Sequence, residues 1–229
     1  MAKTKTKTFQ TETKQPLKLM IHSLYSNKEI FIRELVSNAS DAIDKLRFKS
    51  VEDKSISKYT KDLKIDVKIL KDENKIVISD NGIGMTEDEV VANIGTIARS
   101  GTASFLNNIT GDKKKDSNLI GQFGVGFYSV FMVADKVEVI SKSVFEDSDK
   151  AILWESSGEE KYKLKEVTKE TNGTDIIIYL NDDNKEFAEE GRIRFLLEKY
   201  SQYINFPLNL ITSENDSKRI NDADALWLK

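Results

Sequence analysis

No cysteine occurs among the 229 residues, so disulfides and thiolate metal sites are excluded. A reducing compartment fits that absence. Proline occurs twice, at Pro16 and Pro207, and no proline-rich linker divides the chain. The one histidine, His22, reads as packing or surface, not chemistry. An excess of one charge is also missing: 35 Lys and Arg stand against 38 Asp and Glu, a net charge of −3. No global basic field draws this chain to nucleic acid or to an anionic membrane. Nothing approaches the roughly 18 continuous apolar residues of a membrane span. Residues 1–10 are rich in Lys and Thr, with neither the apolar core of a secretory signal nor the Arg of a transit peptide. The expected location is cytoplasmic.

Hydrophobic residues make up 39% and charged residues 32%, which suits a globular chain and not a disordered one. The simplest division is one domain over residues 1–213, its continuous fold beginning near Phe9. Residues 214–229 then form a polar linker that turns apolar at Ala225, Leu226, Trp227 and Leu228, as at the start of a further, middle domain. Periodicity predicts helices over residues 17–25, 28–49, 86–94, 125–133 and 192–204. Strands are predicted over 63–70, 75–79, 136–141, 151–155, 162–167, 175–180 and 208–211. Residues 95–126 are glycine-rich and polar and read as a functional lid or an insert. Helices and strands come in blocks without strict alternation. That predicts an α+β fold, a layer of helices on one face of a mixed or antiparallel sheet.

Four groups of residues invite chemistry. On the long helix Glu34, Asn38, Asp41 and Lys45 fall within an arc of about 60°, at the edge of the apolar stripe. A solvated face is the plain reading, but Ser37, Asn38, Ser40 and Asp41 are poor interior helix residues. Asp80-Asn81-Gly82-Ile83-Gly84-Met85 follows a strand. It is either a strand-to-helix turn or a pocket floor at which Asp80 accepts from an exocyclic amine and Met85 packs on a flat ring. The segment from Gly121 through Gly124, Val125 and Gly126 to Phe127 opens a helix. Its backbone N–H groups could hold an anion, and a tight loop explains it equally well. The order G-x-x-G-x-G is not the dinucleotide fingerprint, and no P-loop motif occurs. Thr174, after Asn172-Gly173, is unremarkable alone.

Taken in order, these boxes resemble those of the superfamily uniting type II DNA topoisomerases, mismatch-repair MutL proteins, sensor histidine kinases and heat-shock chaperones. The runs 24–31, 33–35, 37–42, 95–102 and 119–129 are similar to the ninety-kilodalton heat-shock chaperone family. The short linker before Trp227 resembles its bacterial form. The resemblance implies a Bergerat-type two-layer α/β sandwich, with helices on one face of a mixed, mainly antiparallel sheet. It implies an ATPase that uses ATP/ADP and Mg²⁺. Glu34 would be the catalytic base and Asn38 the Mg²⁺ ligand, Asp80 would read adenine with Thr174 helping through water, and the backbone of Gly121, Gly124, Val125, Gly126 and Phe127 would hold phosphates. Asp41, Ala42, Lys45, Ile83, Gly84, Met85, Asn93 and Ser100 would complete the nucleotide site. Arg99 stands where Lys is usual, and its planar fork need not make the same contact. The implied cycle is nucleotide-driven lid closure and N-terminal dimerisation acting on client proteins. The partners would be clients and the middle and C-terminal domains, with a homodimer in the full-length chain and a monomer for this fragment. A catalytic Arg in the middle domain implies slow turnover for the isolated chain. The alternatives are a histidine-kinase or topoisomerase/mismatch-repair ATPase, or a nucleotide-sensing module without catalysis.

Overall fold

The computed structural model describes residues 4–8, 27–95, 126–159, 161–200, 204–213 and 216–221. The predicted helix over 17–25, His22 and nearly all of the lid lie outside them.

The first long element, α1 (Ile30–Glu52), forms because Phe31, Ile32, Leu35, Val36, Ala39, Ile43 and Leu46 recur at helical spacing and bury one stripe. Two strands follow, β2 (Ile65–Leu70) and β3 (Lys75–Asp80), joined by a 3₁₀ turn over Lys71–Glu73. Asn74 closes that turn in the left-handed region, at φ 49°. The short helix α2 (Glu87–Asn93) starts on a capping box. Glu89 N–H donates to Thr86 Oγ1, and Thr86 N–H donates back to the Glu89 carboxylate. Its first turn holds Glu87, Asp88 and Glu89, which suits the positive end of the helix dipole.

The remaining elements are β4 (Ala134–Lys142), β5 (Lys150–Ser156), β6 (Lys161–Thr168), β7 (Gly173–Leu180), α3 (Glu190–Tyr200) and β8 (Leu208–Ser213). With β1 (Lys5–Thr8) and β9 (Asp216–Arg219) they complete a sheet of nine described strands, in the order β1-β6-β5-β4-β7-β3-β2-β8-β9. Every pairing is antiparallel except β2 with β8. The inward residues alternate strictly: Ile65, Val67 and Ile69 on β2, Ile76 and Ile78 on β3, Val137 and Val139 on β4, Ile176 and Ile178 on β7. Against that face pack α1, α3 and a turn of 3₁₀ helix over Gly126–Met132, and one continuous core fills the space between the layers. This is the expected α+β sandwich, with a mixed, mainly antiparallel sheet.

Three local expectations change. Residues 126–132 form 3₁₀ turns, not an α-helix, and all seven are buried. Within it the Ser129 hydroxyl donates to the Gly126 carbonyl at 2.6 Å, a local side-chain bond that competes with α-helical pairing. The polar stretch after Ser213, read as linker, contributes β9 through Arg219. Asn221 then holds it, accepting from Leu208 N–H at 2.9 Å and donating to the carbonyls of Phe206 at 2.9 Å and Ile204 at 3.0 Å. The sheet also begins before Phe9: β1 pairs with β6, and Lys5 reaches Glu87 at 2.8 Å.

Candidate functional site

The inward alternation of β3 runs Ile76, Ile78, Asp80, so a carboxylate fills the last apolar slot of the strand. Asp80 is buried and accepts from the N–H of Gly82 at 2.9 Å. Burial pushes its carboxyl up to about 7; the Gly82 bond opposes this, nearby Asp175 adds to it, and Lys169 and the Thr174 backbone also oppose it. Across the ladder Asp80 faces Thr174 on β7. Thr174 Oγ1 lies 2.8 Å from Ser141 Oγ, and Ser141 also accepts from the N–H of Met85 at 2.9 Å. A small polar cluster thus sits within an apolar layer.

The turn after β3 is held close to α1. Ile83 N–H donates to the Ala42 carbonyl at 3.1 Å, and a Cβ on Gly82 would lie 2.6 Å from the Ala42 carbonyl carbon. Only glycine permits that approach. Gly84, at φ +64°, leaves no room for a Cβ against the Lys142 carbonyl. Asn172 donates to the carbonyls of Asn81 at 3.0 Å and Gly82 at 2.7 Å, which ties the start of β7 to the same turn. Beyond it, Asn93 at the end of α2 reaches Met85 Sδ at 3.8 Å.

On α1, Asn38, Asp41 and Lys45 are exposed and Glu34 is largely covered. One Glu34 oxygen accepts from Arg33 Nη2 at 2.6 Å and from Nε at 3.1 Å. The other faces Gly126, where any Cβ would overlap it. The acid of the long helix and the entry to the Gly126–Met132 turns are therefore packed together. Loss of solvent on its inner side raises the Asp41 carboxyl although its outer side is exposed; Lys45 opposes the shift and Asp44 adds to it. Phe127 is buried, edge-on to Trp154 with ring centroids 5.7 Å apart.

Asp80, Thr174, Ala42, Ile83, Gly84, Met85 and Asn93 thus form one connected group, and Glu34 with Gly126 and Phe127 forms another on the same helix layer. Arg99, Ser100, Gly121, Gly124 and Val125 lie outside the described residues. A hollow of about 430 Å³ touches Asp41, Lys45 and Ile83. A second, of about 450 Å³, lies at the far end of the sheet between Ile69, Thr212 and Glu190, away from every candidate. Ser141 and Arg33 were not among the residues expected at the site. Ser141 continues the inward series Val137, Val139, and its polarity there was a readable signal. Arg33 carried none, since its role depends on folding back onto the adjacent side chain.

Among the described residues no cluster of three His, Cys, Asp or Glu could hold a metal. Asn38, exposed on α1, is the side-chain oxygen that the resemblance offers to a hard cation, which would otherwise be held by water and phosphate. A buried carboxylate with spare acceptor capacity, on a glycine turn held tightly against α1, and an acid paired with arginine suit an adenine nucleotide.

The helix-on-sheet architecture and this buried acid define a nucleotide-binding ATPase domain of the two-layer α/β type. The chain belongs to the histidine kinase-, DNA gyrase B- and HSP90-like ATPase family, whose model matches residues 25–180. It is 52% identical over 237 residues to the chaperone protein HtpG of Hydrogenovibrio crunogenus, covering 99% of this chain and 38% of that protein. It is 52% identical to HtpG of Pseudoalteromonas translucida over 96% of this chain, and 49% identical to that of Pasteurella multocida over 98%. These likenesses favour the chaperone-type ATPases over the kinases, topoisomerases and MutL proteins. The chain spans about 38% of the length of the relatives it matches.

Proposed function

We propose that this chain binds ATP and ADP with Mg²⁺, hydrolyses ATP, and serves as the nucleotide-driven part of a cytoplasmic chaperone. The observation that carries the reading is the buried Asp80 at the end of an apolar strand face. A carboxylate there is costly unless a donor arrives to satisfy it, and an exocyclic amine supplies one. Thr174 and Ser141 add acceptors and donors beside it for a bridging water. Gly82 and Gly84 let the turn pack against the Ala42 backbone and the Lys142 carbonyl, which sets Met85 and Ile83 for the faces of a flat ring and Asn93 for its edge.

Glu34 takes the proton of the attacking water, and Arg33 holds its carboxylate in place until then. Asn38 offers its side-chain oxygen to the cation, which when bound neutralises phosphate charge. Asp41, Ala42 and Lys45 flank ribose and phosphates along the same helix. The backbone from residue 121 to Phe127 holds the phosphates, and Arg99 and Ser100 reach them from the lid. Hydrolysis then rests on positioning and on charge stabilisation. Client proteins and the middle and C-terminal domains of a longer chain are the proposed partners. The proposed assembly is a homodimer, with the 229-residue chain alone a monomer. No role with nucleic acid or membrane is proposed, and among the described residues no helix is long and apolar enough to cross a membrane.

The test is titration calorimetry with ADP and Mg²⁺ on the chain and on Asp80→Ala. Binding by the parent and its loss in the variant support the reading. Equal binding by both, or none by the parent at millimolar ADP, refutes it.

A further inference from the structure

The turn after β3 is fastened from the β7 side by a single side chain. Asn172, half-buried on the connection from β6 to β7, donates from its amide to the Asn81 carbonyl at 3.0 Å and to the Gly82 carbonyl at 2.7 Å. Both partners are acceptors, so only the nitrogen of the side chain can face them. The two stretches of backbone are in close contact there, since a Cβ on the next residue, Gly173 at φ +105°, would run into the Asp80 carbonyl.

Each of the two carbonyls belongs to a peptide whose other end is also engaged. The Asn81 carbonyl shares its peptide with the Gly82 N–H, which donates to Asp80 Oδ1 at 2.9 Å. The Gly82 carbonyl shares its peptide with the Ile83 N–H, which donates to the Ala42 carbonyl of α1 at 3.1 Å. A peptide is planar, so holding its carbonyl fixes the direction of its N–H. Asn172 therefore grips two peptides, one aimed at the buried acid and one at the long helix. Bonds linked in this way polarise and strengthen one another. The Asn81 side chain has a different task. It donates to the Asp62 carbonyl at 2.9 Å and accepts from the Lys64 N–H at 2.8 Å, and so holds the approach to β2. The charged neighbours of Asp80 are Lys169 and Asp175, which are paired with each other. The Gly82 N–H is the foremost influence favouring the ionised acid.

Taking Asp80 as the group that meets the base, we propose that Asn172 is a positioning residue for base recognition: it keeps the Gly82 N–H on one Asp80 oxygen and leaves the other oxygen for the amine. The test follows the Asp80 carboxyl by NMR in the whole chain with isotope-labelled aspartate, its signal assigned from Asp80→Asn. In the parent, the Gly82 amide and the Asn172 side-chain amide shift with the Asp80 carboxyl at one midpoint. In Asn172→Ala that midpoint rises by about half a pH unit or more, because the bond favouring the ionised form is loosened. The adenosine Kd at pH 8 rises about three- to tenfold with it. Asn172→Gln, which keeps the amide donors, recovers most of the loss, and Thr171→Ala, exposed on the same connection, changes neither quantity. An unmoved midpoint in Asn172→Ala overturns the proposal whatever the affinity does. So does an Asn172 amide in the parent that ignores the Asp80 titration, a measurement that needs neither a variant at position 172 nor a nucleotide. Failure of the adenine reading looks different: Asp80→Ala then binds adenosine as well as the parent does while the midpoint still depends on Asn172, and the proposed role in base recognition falls with it.

Discussion

Replacing Asp80 by asparagine gives a pH signature that no surface carboxylate can imitate. In the folded chain the carboxyl titrates near 7, against an ordinary 3.8. The folded state therefore keeps a proton that the unfolded state releases, and stability falls as pH rises through that window. The gap corresponds to about 4 kcal/mol at pH 8, fading to nothing near pH 3. Asp80→Asn keeps an acceptor for the Gly82 N–H and removes the charge. The variant should be more stable than the parent at pH 8 by several kcal/mol, about 10 °C in Tm, and by only about 1 kcal/mol at pH 4.5. Adenosine, which has no titrating phosphate, couples to the same group from the other side. An amine bonded to Asp80 favours the ionised form, so binding releases a proton and weakens as pH falls. At pH 6 about nine in ten carboxyls are protonated, and the apparent Kd for adenosine should be about tenfold that at pH 8. Thermal melts from pH 4.5 to 8.5 and adenosine titrations by NMR measure both effects. Equal Tm differences at both ends of the range, together with a flat adenosine profile, would refute the reasoning about Asp80.

Other outcomes follow from the same geometry. In a chain of full length, Glu34→Ala should keep ADP affinity within about twofold and lose nearly all phosphate release, because the base acts on water and not on binding; surviving turnover removes Glu34 from the mechanism. Ser141→Ala leaves the Met85 N–H and the buried Thr174 hydroxyl short of a partner, and should weaken adenosine about three- to tenfold by calorimetry while lowering stability by about 1–3 kcal/mol. Gly173→Ala places a Cβ against the Asp80 carbonyl at φ +105°, and should cost about 3 kcal/mol or more in urea unfolding. A near-neutral result there would mean that the turn has freedom the structure does not show.

Periodicity made much of the fold readable. The α1 stripe, the β2 and β3 alternation and the acidic first turn of α2 are local patterns, and the elements appear within a few residues of their expected bounds. The elements that escaped lack such a pattern. In β1, Lys5-Thr6-Lys7-Thr8 has no apolar face, and its place comes from pairing with β6. In β9, Asp216-Ser217-Lys218-Arg219 is wholly polar and is placed by β8 and by Asn221. The parallel neighbours β2 and β8 are more than a hundred residues apart in sequence, and nothing local announces them. At the candidate site, the residue types of Glu34, Asp80 and Gly84 invited chemistry, while the grouping came from resemblance. The Ser141–Thr174 contact depends on the register of β4 against β7, which no single segment encodes.

The two edges of the sheet carry one further consequence. Among the described residues the sheet ends on two outer rows of backbone groups, the kind of edge a passing chain can extend. Here both outer rows belong to four-residue segments rich in charge, and β1 is pinned at one end by the Lys5–Glu87 bridge. Short, lysine-bearing borders give an intruding strand too little length and the wrong electrostatics to extend the ladder. Lengthening either border with alternating valines should bring on aggregation before it changes the interior.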